Sequence, residues 1–192
     1  PSVPANNLQE FIALAKSRPG QLNYASVGYG SSTHLQLALF SIHAGVKMQH
    51  IPYKGSTQAF IDLFSGQVQV SIFSPSNTVA HIKSGKLKAI AVSGETRMSA
   101  LPQVPTFSEA GLPGYEATNW HGILAPAGTP KPIIDNLATE VARILSMPDI
   151  TEKLASLGLA PFISAPEQFA ALLRSETVKY AQVIKAENIT AK

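Results

Sequence analysis

The chain has 192 residues, of which 45% are apolar and 14% charged, and its net charge is +3. This composition supports one large domain or two small lobes, and it excludes a disordered or fibrous chain. No run approaches the ~18 apolar residues of a membrane span, and the basic residues are too dispersed for a typical nucleic-acid-binding surface. Because the chain has no cysteine, disulfides, thiolate nucleophiles and Cys-ligated metal sites are excluded.

The first half of the chain alternates between helical and strand patterns. Asn7 and Glu10 form a capping pair for a first helix, which Pro19 and Gly20 end. A second helix closes at Gly45, and its apolar face is predicted to be Leu35, Ala38, Leu39 and Ile42. Strands are predicted at 22–27, 48–53, 68–73 and 87–93, with further helices at 56–64 and 76–83. Helices between successive strands predict a mainly parallel sheet with helices on its faces.

The second half is predicted to begin irregularly and to end in helices. Residues 94–118 contain many Pro and Gly, with one helical turn expected at 106–110. A strand is predicted at 119–125. Trp120 is either a core aromatic, which is the favoured interpretation, or a hinge residue packed near the ligand cleft. Apolar stripes then predict helices from Pro130, at 150–157 and from Pro166, and residues 162–164 could form one further strand.

The common catalytic and cofactor motifs are absent from the sequence. Gly28-x-Gly30 lacks the third glycine of a dinucleotide fingerprint, because Thr33 occupies that position. There is no P-loop, no HxH or HExxH histidine pair, and no Gly-x-Ser-x-Gly nucleophile motif. We therefore predict no cofactor, no metal site and no catalytic residue.

Small polar residues are concentrated instead at three strand-to-helix junctions. These are 28–33 (Gly-Tyr-Gly-Ser-Ser-Thr), 54–57 (Lys-Gly-Ser-Thr) and 74–77 (Ser-Pro-Ser-Asn). The carboxyl ends of parallel strands share one edge of a sheet, where ligands bind. Backbone N–H groups, helix dipoles and hydroxyls would meet there, in an arrangement suited to a carboxylate or another small anion. Gly28 and Gly30 would let the backbone approach the ligand closely.

Each of these features also has an ordinary structural interpretation. Ser, Thr and Asn are the preferred N-cap residues, so a single junction indicates a cap more readily than a ligand site. Lys54 is either a solvated surface lysine or a partner for the anion. His34 is either a structural residue with a local hydrogen bond or a ligand donor.

A series of motifs runs in a fixed order through nearly the whole chain. In one-letter code they are LNYAS at 22–26, GYGSSTHL at 28–35, IPYKG at 51–55, IKSGKL at 82–87, LPQVPTFSEAGLPG at 101–114 and APAGTP at 125–130. This series resembles the substrate-binding receptors of tripartite tricarboxylate transporters, the Bug or TctC family. One departure is Gln69, where the family usually has aspartate.

The resemblance implies an α/β fold of the type II periplasmic-binding-protein kind, with a mainly parallel sheet, flanking helices and additional C-terminal helices. It implies a periplasmic, non-enzymatic receptor that binds a small carboxylate and delivers it to membrane permease subunits. The dispersed basic residues separately predict that nucleic acid is not a partner. The ligand-binding residues carried over or expected are Gly28, Tyr29, Gly30, Ser31, Ser32, Thr33, His34, Lys54, Ser74 and Ser76.

The resemblance also implies a division of the chain. Residues 1–122 would be a complete second lobe, and residues 123–192 would be a hinge strand and helices of a mostly absent first lobe. Leaving the helical stripes in water would cost about 1.5–3 kcal/mol for each large side chain. We therefore expect the chain either to form a homodimer through them or to be truncated.

Two other functional classes remain open from the sequence. The ligand-sensing domain of a transcription regulator can have a similar two-lobed architecture, although no helix-turn-helix segment is evident. A small transferase or lyase would need a perturbed Lys, Asp or His at the sheet edge, and Lys54 is the obvious candidate.

Overall fold

The computed structural model describes residues 2–190, which form two compact units. Unit 1 contains the described residues up to Asn119 and from Tyr180 onward, and unit 2 contains Trp120–Lys179. None of the helices within residues 2–190 is both long enough and apolar enough to cross a membrane.

Unit 1 alternates helices and strands, as the sequence predicts. Its elements are α1 (Leu8–Ser17), β1 (Asn23–Ser26), α2 (Ser32–Ala44), β2 (Gln49–Pro52), α3 (Ser56–Ser65), β3 (Val70–Ser71) and α4 (Pro75–Lys83). Unit 2 contains α5 (Lys131–Leu145), α6 (Pro148–Ser156) and the first part of α7 (Pro166–Ala186), whose last residues belong to unit 1. The predicted α/β class is confirmed.

The sheet has the strand order β2-β1-β3, and both pairings are parallel. Ser26 pairs with Pro52, and Ala25 pairs with Ser71. The carboxyl ends of the three strands therefore lie at one edge, and the loops that follow them begin there. This arrangement confirms the predicted parallel sheet.

Helices pack on both faces of the sheet. Because alternate residues of a strand point to opposite faces, one strand contributes to two core clusters. Tyr24 of β1 belongs to the main core cluster, together with Leu8 and Phe11 of α1 and Phe40 of α2. Its neighbour Ala25 belongs to a second cluster, formed with Ala59 of α3 and Val68. The segment 104–117 adds Phe107, Leu112 and Tyr115 to the main cluster.

Local capping follows the sequence closely at α1. The Asn7 side chain accepts a hydrogen bond from the backbone N–H of Glu10 at 2.9 Å, and the Glu10 carboxylate accepts one from the N–H of Asn6 at 2.7 Å. Helix α2 ends at Gly45, which adopts φ 63°. A left-handed conformation favours glycine because it has no Cβ.

The predicted apolar face of α2 is only partly correct: Leu35 and Leu39 are half-buried, and Leu39 packs against the main core. Ile42 is 44% exposed, and of the four expected residues only Ala38 is fully buried. The buried side includes polar Gln36, whose Nε2 donates to the Ala117 carbonyl and the Asn119 side chain, both at 2.9 Å. These two hydrogen bonds let a polar residue occupy a position that hydropathy assigns to solvent.

Three predicted strands do not form within the described residues. Residues 87–93 make a single parallel bridge, between Val92 and Thr106, and do not join the sheet. Residues 119–125 and 162–164 have no strand structure. Trp120 is 39% exposed, so its predicted core position is also wrong: its ring meets Phe169 edge-on at 5.5 Å but has no enclosing core.

Gln69, the departure from the family pattern, joins β1 to the end of α3. Its side-chain oxygen accepts from the Asn23 N–H at 2.7 Å, and its Nε2 donates to the Gly66 carbonyl at 2.6 Å. An aspartate could accept at this position but could not donate. Gln69 therefore satisfies two backbone groups where an aspartate could satisfy one.

Candidate functional site

The loop between β1 and α2, residues 28–33, is held by side chains close to it in sequence. Ser26 Oγ accepts from the Gly28 N–H at 3.1 Å and lies 3.0 Å from the Gly28 carbonyl. Ser31 Oγ donates to the same carbonyl at 2.7 Å and, as the N-cap of α2, accepts from the His34 N–H at 3.3 Å. Thr33 Oγ1 accepts from the Val27 N–H at 3.0 Å. The hydroxyls predicted to bind ligand therefore also fix the loop.

The loop uses several of its own backbone N–H groups. Gly30 donates to His34 Nδ1 at 3.1 Å, and Ser31 donates to the Gly28 carbonyl at 3.3 Å. Within residues 2–190, the structure gives no acceptor for the N–H groups of Ser32 and Thr33 in the first turn of α2. Ser32 is exposed. Together with the positive end of the helix dipole, these two donors are what the loop offers to an anion.

The second polar turn lies beside the first. The Tyr53 N–H donates to the Ser26 carbonyl at 2.9 Å, and a Cβ placed on Gly28 would lie 3.9 Å from the Tyr53 carbonyl oxygen. The Tyr53 hydroxyl donates to Asp62 at 2.7 Å; burial and this partner raise the pKa of Tyr53 to about 12. Lys54 is exposed, and Gly55 precedes α3 without a side-chain cap.

The third turn follows β3 at the same edge of the sheet. Ser74 is the N-cap residue of α4, but its side chain makes no capping hydrogen bond. Its carbonyl accepts from the Asn77 N–H at 3.0 Å. Ser74 and Ser76 are both exposed. Their hydroxyls are therefore open to solvent near the carboxyl end of the sheet.

Tyr29 in the loop and His34, just after it in α2, have surroundings that ligand binding alone does not explain. His34 is only 4% exposed, and its Nδ1 accepts the Gly30 N–H, which matches the structural interpretation of this histidine. Tyr29 is 46% exposed, and its ring meets those of His34 and His50 edge-on at 5.9 and 5.0 Å.

Sequence reasoning missed His50, which lies opposite Tyr24 in the parallel pairing of β1 and β2. Its ring stacks on His34 with centroids 3.6 Å apart, and its Nε2 contacts Ser26 Oγ. Burial, and secondarily the neighbouring His34, lower the pKa of His50 to about 4, and burial lowers the pKa of His34. No local sequence signal identifies His50, because its position depends on the register of β2 beside β1.

No group of three or more His, Asp or Glu side chains that could hold a metal ion occurs within residues 2–190. The chemistry at the sheet edge consists of backbone N–H groups, hydroxyls, one helix N-terminus and one exposed lysine. A parallel α/β unit with these groups at its carboxyl edge is typical of proteins that bind small ligands there.

Comparison with known proteins identifies the family. The model of the tripartite tricarboxylate transporter family receptor, TctC, matches residues 1–189. The chain belongs to this family of solute-binding receptors.

Similar proteins support the same assignment. A protein encoded in the tcbD-tcbE intergenic region of Pseudomonas sp. strain P51 is 37% identical over 98% of the chain. The structure of R. palustris Rpa4515 with adipate covers 98% of the chain at 33% identity, with a TM-score of 0.83. MatC from Rhodopseudomonas palustris with bound malate covers 94% at 33% identity, with a TM-score of 0.75. The chain spans 58% of the Pseudomonas protein and 63% of each structure.

Proposed function

We propose that this chain is the ligand-binding part of a periplasmic receptor that binds a small organic carboxylate and delivers it to the membrane permease of a tripartite tricarboxylate transporter. Family membership supports the receptor role. Two similar structures contain adipate and malate, both of which are dicarboxylates. Nothing in these comparisons favours the transcription-regulator alternative.

The observation that carries the proposal is the first turn of α2. The Ser32 and Thr33 N–H groups point along the helix axis at its positive end, where a carboxylate gains both hydrogen bonds and a favourable dipole interaction. A charge-assisted hydrogen bond to a backbone N–H is about twice as strong as a neutral one. The N–H groups of Gly28, Gly30 and Ser31 are already occupied by hydrogen bonds within the protein, so much of the loop is shaped before the ligand arrives.

The neighbouring turns complete the proposed site. Lys54 would supply a positive charge, and Ser74 and Ser76 would supply hydroxyls; all three are exposed and follow strands that end at the same edge. Tyr29 would provide an aromatic surface for the carbon chain of the acid. None of these groups is arranged as a nucleophile with a base, so we propose binding without catalysis.

We further propose that residues 1–122 form the second lobe and that residues 123–192 belong largely to a first lobe. The relatives are longer than the chain, and α5 exposes Ile133, Leu137 and Ile144 at 51%, 51% and 41%. The part of the relatives' length that this chain does not match would cover that face. The competing occupant is a second copy of the chain. Sedimentation at low concentration distinguishes them: a stable dimer indicates the second copy, whereas a monomer that exposes this face is expected if the unmatched part of the relatives covers it. A compact, stable monomer of this chain with little exposed apolar surface would contradict both.

Calorimetric titration of the full-length protein tests the function. Adipate, malate and other small dicarboxylates are compared with the corresponding amides at the same pH. Because the site attracts negative charge, we expect an acid to bind at least ~10-fold more tightly than its amide, a difference of about 1.4 kcal/mol. Equal affinities for an acid and its amide would show that the site does not recognise a carboxylate.

A further inference from the structure

The rings of His34 and His50 form a stacked pair at the carboxyl end of β1. Their centroids lie 3.6 Å apart, with 11° between the planes. Tyr24 stacks on His50 at 5.0 Å and lies 6.1 Å from His34, while Tyr29 meets both rings edge-on. This cluster joins a strand, a neighbouring strand, a helix and the ligand loop.

The hydrogen bonds of the pair require neutral rings. His34 Nδ1 accepts from the Gly30 N–H, so the proton of a neutral His34 is on Nε2. For His50, Nδ1 is buried without a partner among the described residues, and Nε2 contacts Ser26 Oγ. The arrangement with the fewest unpaired donors has Nε2–H of His50 donating to Ser26 Oγ, while the Ser26 hydroxyl donates to the Gly28 carbonyl. Both tautomers are thus assigned by the hydrogen bonds.

A proton on either ring conflicts with these contacts. A proton added to His34 would occupy Nδ1. The ring N–H would then face the Gly30 N–H, so that two hydrogen-bond donors would oppose each other. A proton added to His50 would occupy the buried Nδ1, which has no acceptor among the described residues. The other titratable groups facing the pair are Tyr24 and Tyr29, with Glu187 acting on Tyr24, whose pKa is raised mainly by burial. No carboxylate is recorded in hydrogen-bond contact with either ring within residues 2–190 to stabilise the charge.

We propose that His34 and His50 are positioning residues for the ligand loop: while both rings are neutral they hold residues 28–33 in the carboxylate-binding form, and protonation of the pair releases the loop and lowers affinity for the ligand. The part of the proposal that concerns ligand affinity rests on the proposed function. His50 acts through His34. By stacking on the His34 ring, it holds that ring in the orientation in which Nδ1 accepts the Gly30 N–H.

The first part of the proposal, that the neutral histidine pair positions residues 28–33, is tested by NMR on the free, full-length protein. At pH 7.5 we expect a scalar coupling across the hydrogen bond between the Gly30 amide nitrogen and His34 Nδ1, and we expect it to disappear as His34 is protonated. In His50→Ala, where the stacking partner is gone, the coupling should weaken even at pH 7.5. Absence of the coupling in the wild-type protein at pH 7.5, or its persistence after His34 is protonated, would overturn the proposal.

The effect of the histidine pair on ligand binding is tested by the affinity for malate between pH 7.5 and pH 4. His34→Asn keeps an acceptor near the Nδ1 position but does not titrate, and exposed His121→Gln is the control. Protonation of malate changes the measured affinity equally for every variant, so it cancels when the variants' losses of affinity are compared. We expect the wild type and His121→Gln to lose at least ~2-fold more affinity on acidification than His34→Asn. Equal losses, or a gain in wild-type affinity on acidification, would refute the proposal.

The two proposals can fail separately. If malate and the other acids do not bind the wild type at pH 7.5, the proposed function fails. The NMR coupling, which needs no ligand, still decides whether the histidine pair positions the loop.

Discussion

The stacked histidines should make the protein lose stability in mild acid. In an unfolded chain each imidazole titrates near 6.5, whereas in the folded chain burial and His34 lower the pKa of His50 to about 4. Between these values the unfolded state binds more protons than the folded state. Stability therefore rises with pH across this window and falls as the pH drops from about 6.5 to 4. Below the folded pKa no further loss comes from this group.

The size of the effect follows from the shift in proton affinity. A fall in the pKa from 6.5 to about 4 corresponds to about 3 kcal/mol, at about 1.4 kcal/mol for each tenfold change. Because His50 is only partly buried, water screens the charged ring, and we expect a loss of about 2 kcal/mol between pH 7 and pH 4.5. His34, whose pKa is also lowered, adds to the loss in the same direction.

Urea unfolding at a series of pH values measures this contribution. His50→Phe keeps a flat ring against His34 but removes the titrating group, so its free energy of unfolding should fall less steeply between pH 6.5 and pH 4.5. Exposed His121→Phe provides the control and should retain the wild-type slope. The carboxylates contribute equally to all three proteins. If His50→Phe and the wild type show the same slope, the ring of His50 is not held neutral by the fold.

Further substitutions test the helix caps and one ring contact. Ser31→Ala removes an N-cap that bonds the α2 backbone, so we expect the free energy of unfolding in urea to fall by about 1 kcal/mol. Ser74→Ala, at a cap position without a capping bond, should change it by less than about 0.5 kcal/mol, and equal costs would contradict the assigned caps. Gly122→Ala would place a Cβ 2.2 Å from the Phe169 ring and push that ring away from Trp120. Trp120 is the chain's single tryptophan, so the fluorescence emission of the protein should shift. Unchanged emission would show that this contact does not form in solution.

The parts of the structure that depend on near neighbours could be predicted from the sequence. The capping pair Asn7–Glu10 and the left-handed Gly45 act over one helical turn, so their residue types alone identify them. The alternation of strands and helices also predicted the parallel sheet, because parallel strands need a crossover connection. The family motifs, which extend over most of the chain, correctly identified the receptor family.

Features that depend on contacts between distant segments were missed. Gln36 is buried because its amide reaches residues 117 and 119, about eighty positions later. The position of His50 depends on the register of β2 beside β1, which no local pattern specifies. Hydropathy likewise placed Trp120 in a core, whereas its main aromatic contact, Phe169, is far along the chain.

Replacement of Ser32 tests most directly whether the start of α2 binds the acid. Ser32→Pro deletes one backbone N–H at the first helical position, where proline is tolerated, and the preceding Ser31 already has the extended conformation (φ −66°, ψ 159°) that proline requires. Ser32→Ala keeps the N–H and is the matched control. In calorimetric titration of the full-length protein with malate, Ser32→Pro should bind about 10–100-fold more weakly than Ser32→Ala, as expected for loss of one charge-assisted hydrogen bond. Equal affinities of the two variants would place the carboxylate elsewhere.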